Sequence, residues 1–208
     1  TKRKDGKIVP FSDSKSIYQH RNYYGIYKVA DVPLNPKDIF PQWSEKDPLF
    51  NEKGPILRTL WHGSTVHGTQ IIHPYTQKYP LSYYHSEGPL KYLLNKNKKK
   101  RNVAIIGLGV GACSTYFEES EKITFYELDP SIVDIAENLF TYLSDCSASI
   151  TNVEGDARIQ LEQAPDNSYD IIIIDAFSSD AIPTHLLTKE AFSLYDRKLT
   201  SQGKLIFH

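Results

Sequence analysis

Four segments suited to nucleoside chemistry lie in the second half of the sequence, and each follows an apolar run. They are Gly107-Leu108-Gly109-Val110-Gly111, Glu127-Leu128-Asp129-Pro130, Gly155-Asp156-Ala157-Arg158 and Asp175. Glycines permit a sharp turn and let a ligand approach main-chain N–H groups. Carboxylates at such positions accept hydrogen bonds from ribose hydroxyls or from the exocyclic amine of adenine. Together the segments predict a site for an adenosine-containing ligand.

The acidic residues of these segments differ in how specifically they point to a ligand. Glu127 is the candidate for the ribose, whereas Asp129 precedes Pro130-Ser131 and is explained by capping a helix. Asp156 has the same capping explanation beside its possible contact with adenine, and both stay open. Asp175 ends the apolar run 171–174, where a carboxylate without a partner is costly to bury, so we interpret it as functional. The glycine-rich segment lacks a P-loop lysine, which argues against a nucleoside triphosphate.

The elements that position these segments follow from the hydrophobic pattern after residue 102. Short apolar runs predict buried strands, and helical patterns at 131–143 and 185–199 lie between them. The predicted strands cover residues 103–106, 123–126, 150–153, 169–174 and a last strand beginning near Gly203. Strands buried on both faces and alternating with helices are typical of a doubly wound parallel sheet. The carboxyl ends of such strands share one edge, so we expect the four segments to converge there.

The first 80 residues have a different texture and predict a small β domain. Apolar and polar residues alternate in 7–33 and 54–74, with strands expected at 25–29 and 56–61. Four prolines between residues 33 and 50 predict a loop, and 51–54 a turn. Pro89 predicts the start of a helix, and we expect the basic run 96–101 to be a solvated helix end or junction rather than a nucleic-acid patch. We therefore assign residues 1–80 to a small N-terminal β domain and 81–208 to a Rossmann-like nucleoside-binding domain.

Composition excludes several other classes. The 208 residues carry 24 Lys and Arg against 25 Asp and Glu, without the basic excess that binding nucleic acid needs. No window reaches the roughly 20 apolar residues of a membrane span. Two cysteines are too few for a disulfide framework and favour a reducing, cytoplasmic location, and Cys113 is interpreted as a packed thiol. The histidines match no common zinc spacing, so no metal is expected. The absence of Met and the short last strand suggest a fragment that lacks the C-terminal strands of its sheet, and the parent protein could be membrane-anchored.

The four segments, extended by Ala176-Phe177-Ser178-Ser179-Asp180-Ala181-Ile182-Pro183, resemble the spermidine synthase-like family. These are polyamine aminopropyltransferases within the class I S-adenosylmethionine-dependent methyltransferase fold. The N-terminal stretches Leu60–Gln70 and Tyr83-Tyr84-His85 agree, and the resemblance covers roughly residues 55–208. It implies a small β domain before a Rossmann-like domain, decarboxylated S-adenosylmethionine or S-adenosylmethionine as co-substrate, a small-molecule amine as acceptor, and a possible homodimer.

The resemblance also implies roles for individual residues. Glu127 would hold the ribose, Asp156 with Ala157 the adenine side, and the glycines 107, 109 and 111 the nucleoside. Asp175 matches the aspartate that orients and deprotonates the amine, and Tyr84 the tyrosine that helps to hold it. Two further matches complete the implied set, Gln70 near the cofactor tail and Asp180 as a looser match to a second catalytic acid.

Two positions depart from the family pattern. Val110 stands where standard synthases have an acid facing the amine of the decarboxylated cofactor, and Ser86 follows His85 where many have Glu. The leading interpretation is therefore an aminopropyltransferase-like enzyme, with two alternatives. One is an S-adenosylmethionine-dependent methyltransferase, and the other is a non-catalytic nucleoside-binding domain of a larger protein.

Overall fold

The computed structural model describes residues 14–39, 54–94, 100–177 and 182–208, and the chain divides into two compact units between Gln77 and Lys78. The first unit contains an antiparallel sheet in the order β1-β2-β3-β4. Its strands are β1 Lys15–Arg21, β2 Ile26–Pro33, β3 Ile56–His62 and β4 Thr65–Ile72. The predicted strands at 25–29 and 56–61 are thus confirmed, and the antiparallel sheet agrees with the β texture of this part of the sequence.

The proline-rich segment is only partly a loop. Pro36–Ile39 forms a short helix, α1, because proline tolerates the first helical turn and Asn35 accepts a hydrogen bond from the main-chain N–H of Lys37 at 3.0 Å. The prediction of a loop throughout 33–50 is therefore wrong at this point. Residues 40–53, which hold the rest of the predicted loop and most of the predicted turn, lie outside the described residues.

The second unit contains the predicted parallel sheet, in the strand order β7-β6-β5-β8-β9. Its strands are β5 Asn102–Ile106, β6 Lys122–Glu127, β7 Ser149–Glu154, β8 Tyr169–Ile174 and β9 Leu199–Phe207. The α-helices are α2 Pro89–Leu94, α3 Pro130–Leu139, α4 Tyr142–Asp145, α5 Ala157–Glu162 and α6 Lys189–Lys198, and 3-10 helices cover Ser82–Tyr84, Ala112–Tyr116 and Thr184–Leu186. The mixed α/β fold predicted from the alternating pattern is confirmed.

Two predicted helices have bounds that differ from the sequence pattern, and a local cause explains each difference. The pattern 131–143 is divided into α3 and α4 because Phe140 takes extended backbone and buries its ring, with 3% exposed. The pattern 185–199 becomes a helix only from Lys189, since the Thr188 side chain caps it by accepting from the main-chain N–H of Ala191. Periodicity alone located both helices but missed these interruptions.

The core of the second unit lies around its central strands. Ile105, Ile172 and Ile173 are fully buried, as expected for strands covered on both faces. Burying each such side chain contributes about 1.5–3 kcal/mol. The hydroxyl groups of Tyr126 and Tyr169 lie 2.7 Å apart within this core and satisfy each other.

Arg101, the last residue of the basic run, is not solvated as the interpretation of a solvated helix end or junction expected. Its side chain is only 8% exposed, and its guanidinium pairs with the buried Glu121 carboxylate and donates to the Leu94 carbonyl at 2.5 Å. The cation therefore closes the last turn of α2, where helix carbonyls lack partners. Residues 95–99 of the run lie outside the described residues.

Candidate active site

The carboxyl ends of the parallel strands are joined edge to edge by main-chain hydrogen bonds. The residue that follows each of four strands, β5, β7, β8 and β9, donates its N–H to a carbonyl at or near the end of the neighbouring strand. These bonds are Gly155 to Glu127 at 2.8 Å, Gly107 to Tyr126 at 2.9 Å, Asp175 to Ile106 at 2.8 Å and His208 to Ile174 at 3.1 Å. The strand ends at which the four segments were predicted to converge are therefore neighbours linked by hydrogen bonds along one edge of the sheet.

Gly107 is required by the close approach of two strand ends. Its φ is +97°, and a Cβ there would lie 2.5 Å from the Asp175 carbonyl oxygen and 3.0 Å from Cα of Ala176. Both neighbours are backbone atoms, which cannot rotate away. The absent side chain thus lets the glycine-rich loop and Asp175 lie side by side.

Glu127 holds the glycine-rich loop in place. Its Oε2 accepts from the main-chain N–H of Leu108 at 2.9 Å, and its Oε1 from that of Asp129 at 3.0 Å. Burial raises the pKa of this carboxyl, and the two main-chain donors partly offset that effect. Each oxygen of a carboxylate accepts more than one hydrogen bond, so capacity remains for the hydroxyls of a ribose.

Asp129 and Asp156 both cap helices. Asp129 accepts from the main-chain N–H of Ser131 at 2.8 Å, as predicted. Asp156 Oδ1 accepts from the N–H groups of Arg158 and Ile159 at 3.0 and 3.1 Å, which confirms its capping role. Its Oδ2 lies 3.1 Å from Nε2 of His185. A ligand amine that approaches Asp156 would therefore meet His185 at the same oxygen.

An open depression lies beside this cap. It has a volume of about 490 Å³. Its lining consists of Asp156, Arg158, Ile159, Glu162, Gln163 and His185. The exposed side chain of Ile159 provides an apolar surface next to the carboxylate of Asp156. A flat heterocycle with an exocyclic amine matches this combination of an apolar wall and an acceptor.

Asp175 lies at the centre of a small polar cluster. The Tyr84 hydroxyl donates a short hydrogen bond to its Oδ2. Nδ1 of His208 lies 3.1 Å from its Oδ1, and the imidazole stacks on the Tyr84 ring with centroids 4.8 Å apart. The Asp175 side chain is only 8% exposed, so these neighbours rather than water supply most of its hydrogen bonds.

Tyr84 reaches this cluster from a strained turn. It ends the 3-10 helix Ser82–Tyr84, in which Ser82 takes a left-handed φ of +58°. The Tyr116 hydroxyl donates to the Tyr84 carbonyl and so fixes the turn from the other side. Burial, and next the charge of Asp175, raise the pKa of the Tyr84 phenol well above its ordinary value, so it is a hydrogen-bond donor at neutral pH.

Cys113 contributes packing and no nucleophile. The side chain is 3% exposed, and burial followed by the charge of Asp175 raises the pKa of its thiol. The thiolate is the nucleophilic form, and this environment disfavours it. The interpretation of Cys113 as a packed thiol is confirmed.

The remaining predicted site residues are Gln70, Ala157 and Asp180. Gln70 lies on β4 in the first unit, fully buried, and its Nε2 donates to the Gln77 carbonyl at 2.8 Å. Val110 is 1% exposed, so the glycine-rich loop presents no carboxylate from this position. Asp180 lies outside the described residues. Ala157 is buried at the start of α5, directly after the Asp156 cap.

His208 is the site residue that the sequence reasoning missed. Strand β9 pairs in parallel register with β8, with Phe207 opposite Ile174, so the next residues of the two strands are neighbours. The sequence showed a strand beginning near Gly203, and its expected register against 169–174 was the signal that could have placed His208 beside Asp175.

Comparison with known proteins shows which solved structures share this fold. No protein-family model matches the chain. A probable spermidine synthase from Corynebacterium glutamicum superposes with a TM-score of 0.64 over 91% of this chain and 62% of its own, at 15% identity. The chain has the spermidine synthase fold. A spermidine synthase solved with the transition-state analogue AdoDATO gives a TM-score of 0.55 over 91% of this chain and 56% of its own, at 19% identity.

Curated sequences support the same resemblance. A polyamine aminopropyltransferase from Vibrio vulnificus is 32% identical over 115 residues, which are 53% of this chain and 38% of that protein. One from Alkaliphilus oremlandii is 27% identical over 117 residues, which are 53% of this chain and 40% of that protein. An eEF1A lysine and N-terminal methyltransferase of Xenopus laevis is 29% identical over 85 residues, 38% of this chain and 12% of that protein. The chain thus spans less than half the length of these relatives, and its similarity to polyamine aminopropyltransferases is confirmed.

Within residues 14–39, 54–94, 100–177 and 182–208, no three His, Cys, Asp or Glu side chains are grouped to hold a metal ion. Among those same residues, no helix is long and apolar enough to cross a membrane.

Proposed function

We propose that this chain is a transferase that moves an aminopropyl group from decarboxylated S-adenosylmethionine to a small-molecule amine. The observation that carries the proposal is the Tyr84–Asp175 pair beside the glycine-rich loop. The aminopropyltransferase relatives support the reaction class. Residues 81–208 would form the catalytic domain, with residues 1–80 as a small β domain.

The proposed chemistry begins with the acceptor amine. A primary amine is mostly protonated at neutral pH, and its nitrogen cannot attack carbon until it loses a proton. The Asp175 carboxylate attracts the ammonium and accepts that proton. The neutral nitrogen then forms a bond to the carbon next to the sulfonium, while the carbon–sulfur bond breaks and its electrons stay on sulfur. The products are a secondary ammonium ion and methylthioadenosine.

Tyr84 would orient the base. Its phenol donates to one oxygen of Asp175 and leaves the other lone pairs for the substrate. Its ring face also attracts cations, which favours an ammonium group nearby. A fixed base and a fixed acceptor nitrogen remove part of the entropic barrier of the bimolecular step.

The nucleoside would lie along the carboxyl edge of the sheet. Glu127 would accept from the ribose hydroxyls, and Asp156 from the exocyclic amine of adenine after His185 moves aside. The glycines at 107, 109 and 111, all with positive φ, let the loop approach the ligand closely.

Methyl transfer from S-adenosylmethionine is the second candidate function, and Val110 favours it. An acid at this loop position would repel the carboxylate of ordinary S-adenosylmethionine, and a buried valine removes that repulsion. The same change removes an attraction for the amine of the decarboxylated form. The two reactions are distinguished by their nucleoside product, methylthioadenosine or S-adenosylhomocysteine.

The substitution Asp175→Asn tests the assignment of the base. An amide keeps the size of the side chain and its hydrogen bond with Tyr84, but it does not accept the proton. We expect the rate of methylthioadenosine release to fall by about 10²–10⁴-fold, the usual contribution of a general base. The affinity for methylthioadenosine should change little. Unchanged turnover would overturn the role of Asp175, and lost nucleoside binding would indicate a folding defect.

A further inference from the structure

The hydrogen bonds of His208 define its tautomer. Its Nε2 lies 3.2 Å from the Tyr83 carbonyl oxygen, and a carbonyl only accepts. Nε2 therefore carries a hydrogen, and Nδ1 faces Oδ1 of Asp175 at 3.1 Å. A neutral ring with this tautomer would oppose its lone pair to a carboxylate oxygen. Uptake of one proton between Nδ1 and Oδ1 would remove that conflict, so the geometry favours proton transfer to an ionised Asp175 beside a neutral His208.

The groups around the His208–Asp175 pair do not compete with it for the transferred proton. The His208 and Asp175 side chains are 15% and 8% exposed. The groups facing the imidazole are Asp175 from the end of β8, and the Tyr84 ring and Tyr83 carbonyl from the 3-10 helix Ser82–Tyr84. Cys113 faces Asp175 from a further element, and burial raises the pKa of both the Cys113 thiol and the Tyr84 phenol, which keeps them neutral.

We propose that His208 is the proton acceptor behind Asp175 in the transfer reaction. The proposal rests on the proposed function, since it specifies where the proton of the amine goes. The ammonium of the acceptor loses its proton to Asp175, and Asp175 passes a proton to Nδ1 of a neutral His208. The amine becomes neutral, Asp175 is again a carboxylate, and His208 is an imidazolium. Its partly exposed ring then returns the proton to water.

The relay provides a benefit that Asp175 alone lacks. A carboxyl that kept the proton would be neutral while positive charge is still present on the sulfonium and develops on the attacking nitrogen. Passing the proton to His208 restores the carboxylate before carbon–nitrogen bond formation. The negative charge then lies next to the nitrogen as it becomes cationic, which stabilises the transition state.

The pH dependence of turnover tests whether His208 accepts the proton. The reaction needs a neutral imidazole, so the rate of methylthioadenosine release should rise as pH passes the pKa of His208. The hydrogen bond to Asp175 raises that pKa above its ordinary value of 6.5, so the rise should lie above pH 6.5. In the full chain carrying His208→Gln, the amide can still donate to Asp175 but cannot take a proton. We expect kcat to fall about 10²-fold, the lower end of what a proton-transfer group contributes, and the part of the rising limb that is due to His208 to disappear.

The controls separate a relay from a positioning role. Ionisation of the free amine contributes the same limb to both profiles, so only the difference between them reports on residue 208. His208→Ala removes both the hydrogen bond and the proton site, whereas His208→Gln keeps the bond. If His208 only positioned Asp175, the glutamine variant would retain the wild-type rate and profile, and the proposal would be overturned. Binding of methylthioadenosine within about twofold of wild type would show that the variants fold.

Failure of the proposal is distinguishable from failure of the proposed function. A wild-type chain that turns over, with an unchanged profile in His208→Gln, overturns only the role of His208. A wild-type chain that binds methylthioadenosine but transfers nothing to any amine overturns the proposed function, and the relay of an amine proton with it.

Discussion

Replacing Gly107 by Ala tests the tight approach of the glycine-rich loop to Asp175. At a φ of +97°, a side chain adds a conformational cost of about 1–2 kcal/mol. The new Cβ would lie 2.5 Å from the Asp175 carbonyl oxygen and 2.8 Å from its carbonyl carbon. Relieving this overlap requires backbone shifts that cost a further 1–3 kcal/mol or so. We expect the free energy of unfolding of the second unit to fall by about 2–5 kcal/mol.

Gly63→Ala is the matched control. Gly63 also has a positive φ, +60°, but no atom lies within 4 Å of the Cβ it would gain. It should therefore lose only the conformational cost of about 1–2 kcal/mol. Urea unfolding should be followed by far-UV circular dichroism and by tryptophan fluorescence. Both tryptophans precede residue 78, so fluorescence reports on the first unit.

The functional consequence gives a second readout. A shift of the Asp175 backbone moves the base relative to the loop, so turnover should fall more than stability alone explains. If Gly107→Ala loses no more stability than Gly63→Ala and keeps its turnover, the tight packing at this strand edge would be refuted.

Two other substitutions address the nucleoside and the core. Glu127→Ala should weaken methylthioadenosine binding about 10–100-fold, as expected for the loss of a hydrogen bond to a charged group. Calorimetry should show that the binding of adenine, which has no ribose, is nearly unchanged. Equal losses for both ligands would mean that Glu127 only holds the loop. Arg101→Ala should lower the free energy of unfolding by about 3–5 kcal/mol in urea, since it leaves the Glu121 carboxylate buried and unpaired. The double variant Arg101→Met with Glu121→Leu should recover most of that loss. If Arg101→Ala alone were as stable as the wild type, the stabilising role of the buried pair would be contradicted.

The fold was predictable because its strongest signals are local. The run at 169–174 is apolar without interruption, and its length and neighbours allow only a strand buried on both faces. Asp175 follows it directly, so a carboxylate at the strand end could be expected without any structure. The helix caps at Asp129 and Asp156 were predictable for the same reason, since capping depends on the next two or three residues.

The contacts that complete the site are long-range and left no local pattern. His208 lies beside Asp175 only because β9 joins β8 in a particular register. Arg101 looked like the end of a solvated basic run, and its partner Glu121 lies twenty residues away on the approach to β6. The strained turn at Ser82 that carries Tyr84 is also invisible in sequence, because serine rarely takes this conformation without tertiary contacts.

The most direct test of aminopropyl transfer is to compare the binding of two sulfonium nucleosides with the products formed. Isothermal titration calorimetry of the full chain should show tighter binding of decarboxylated S-adenosylmethionine than of S-adenosylmethionine. Adding a diamine to the decarboxylated complex should then release methylthioadenosine in proportion to the secondary amine formed. Binding of neither nucleoside would contradict the account, and so would a preference for S-adenosylmethionine with release of S-adenosylhomocysteine alone.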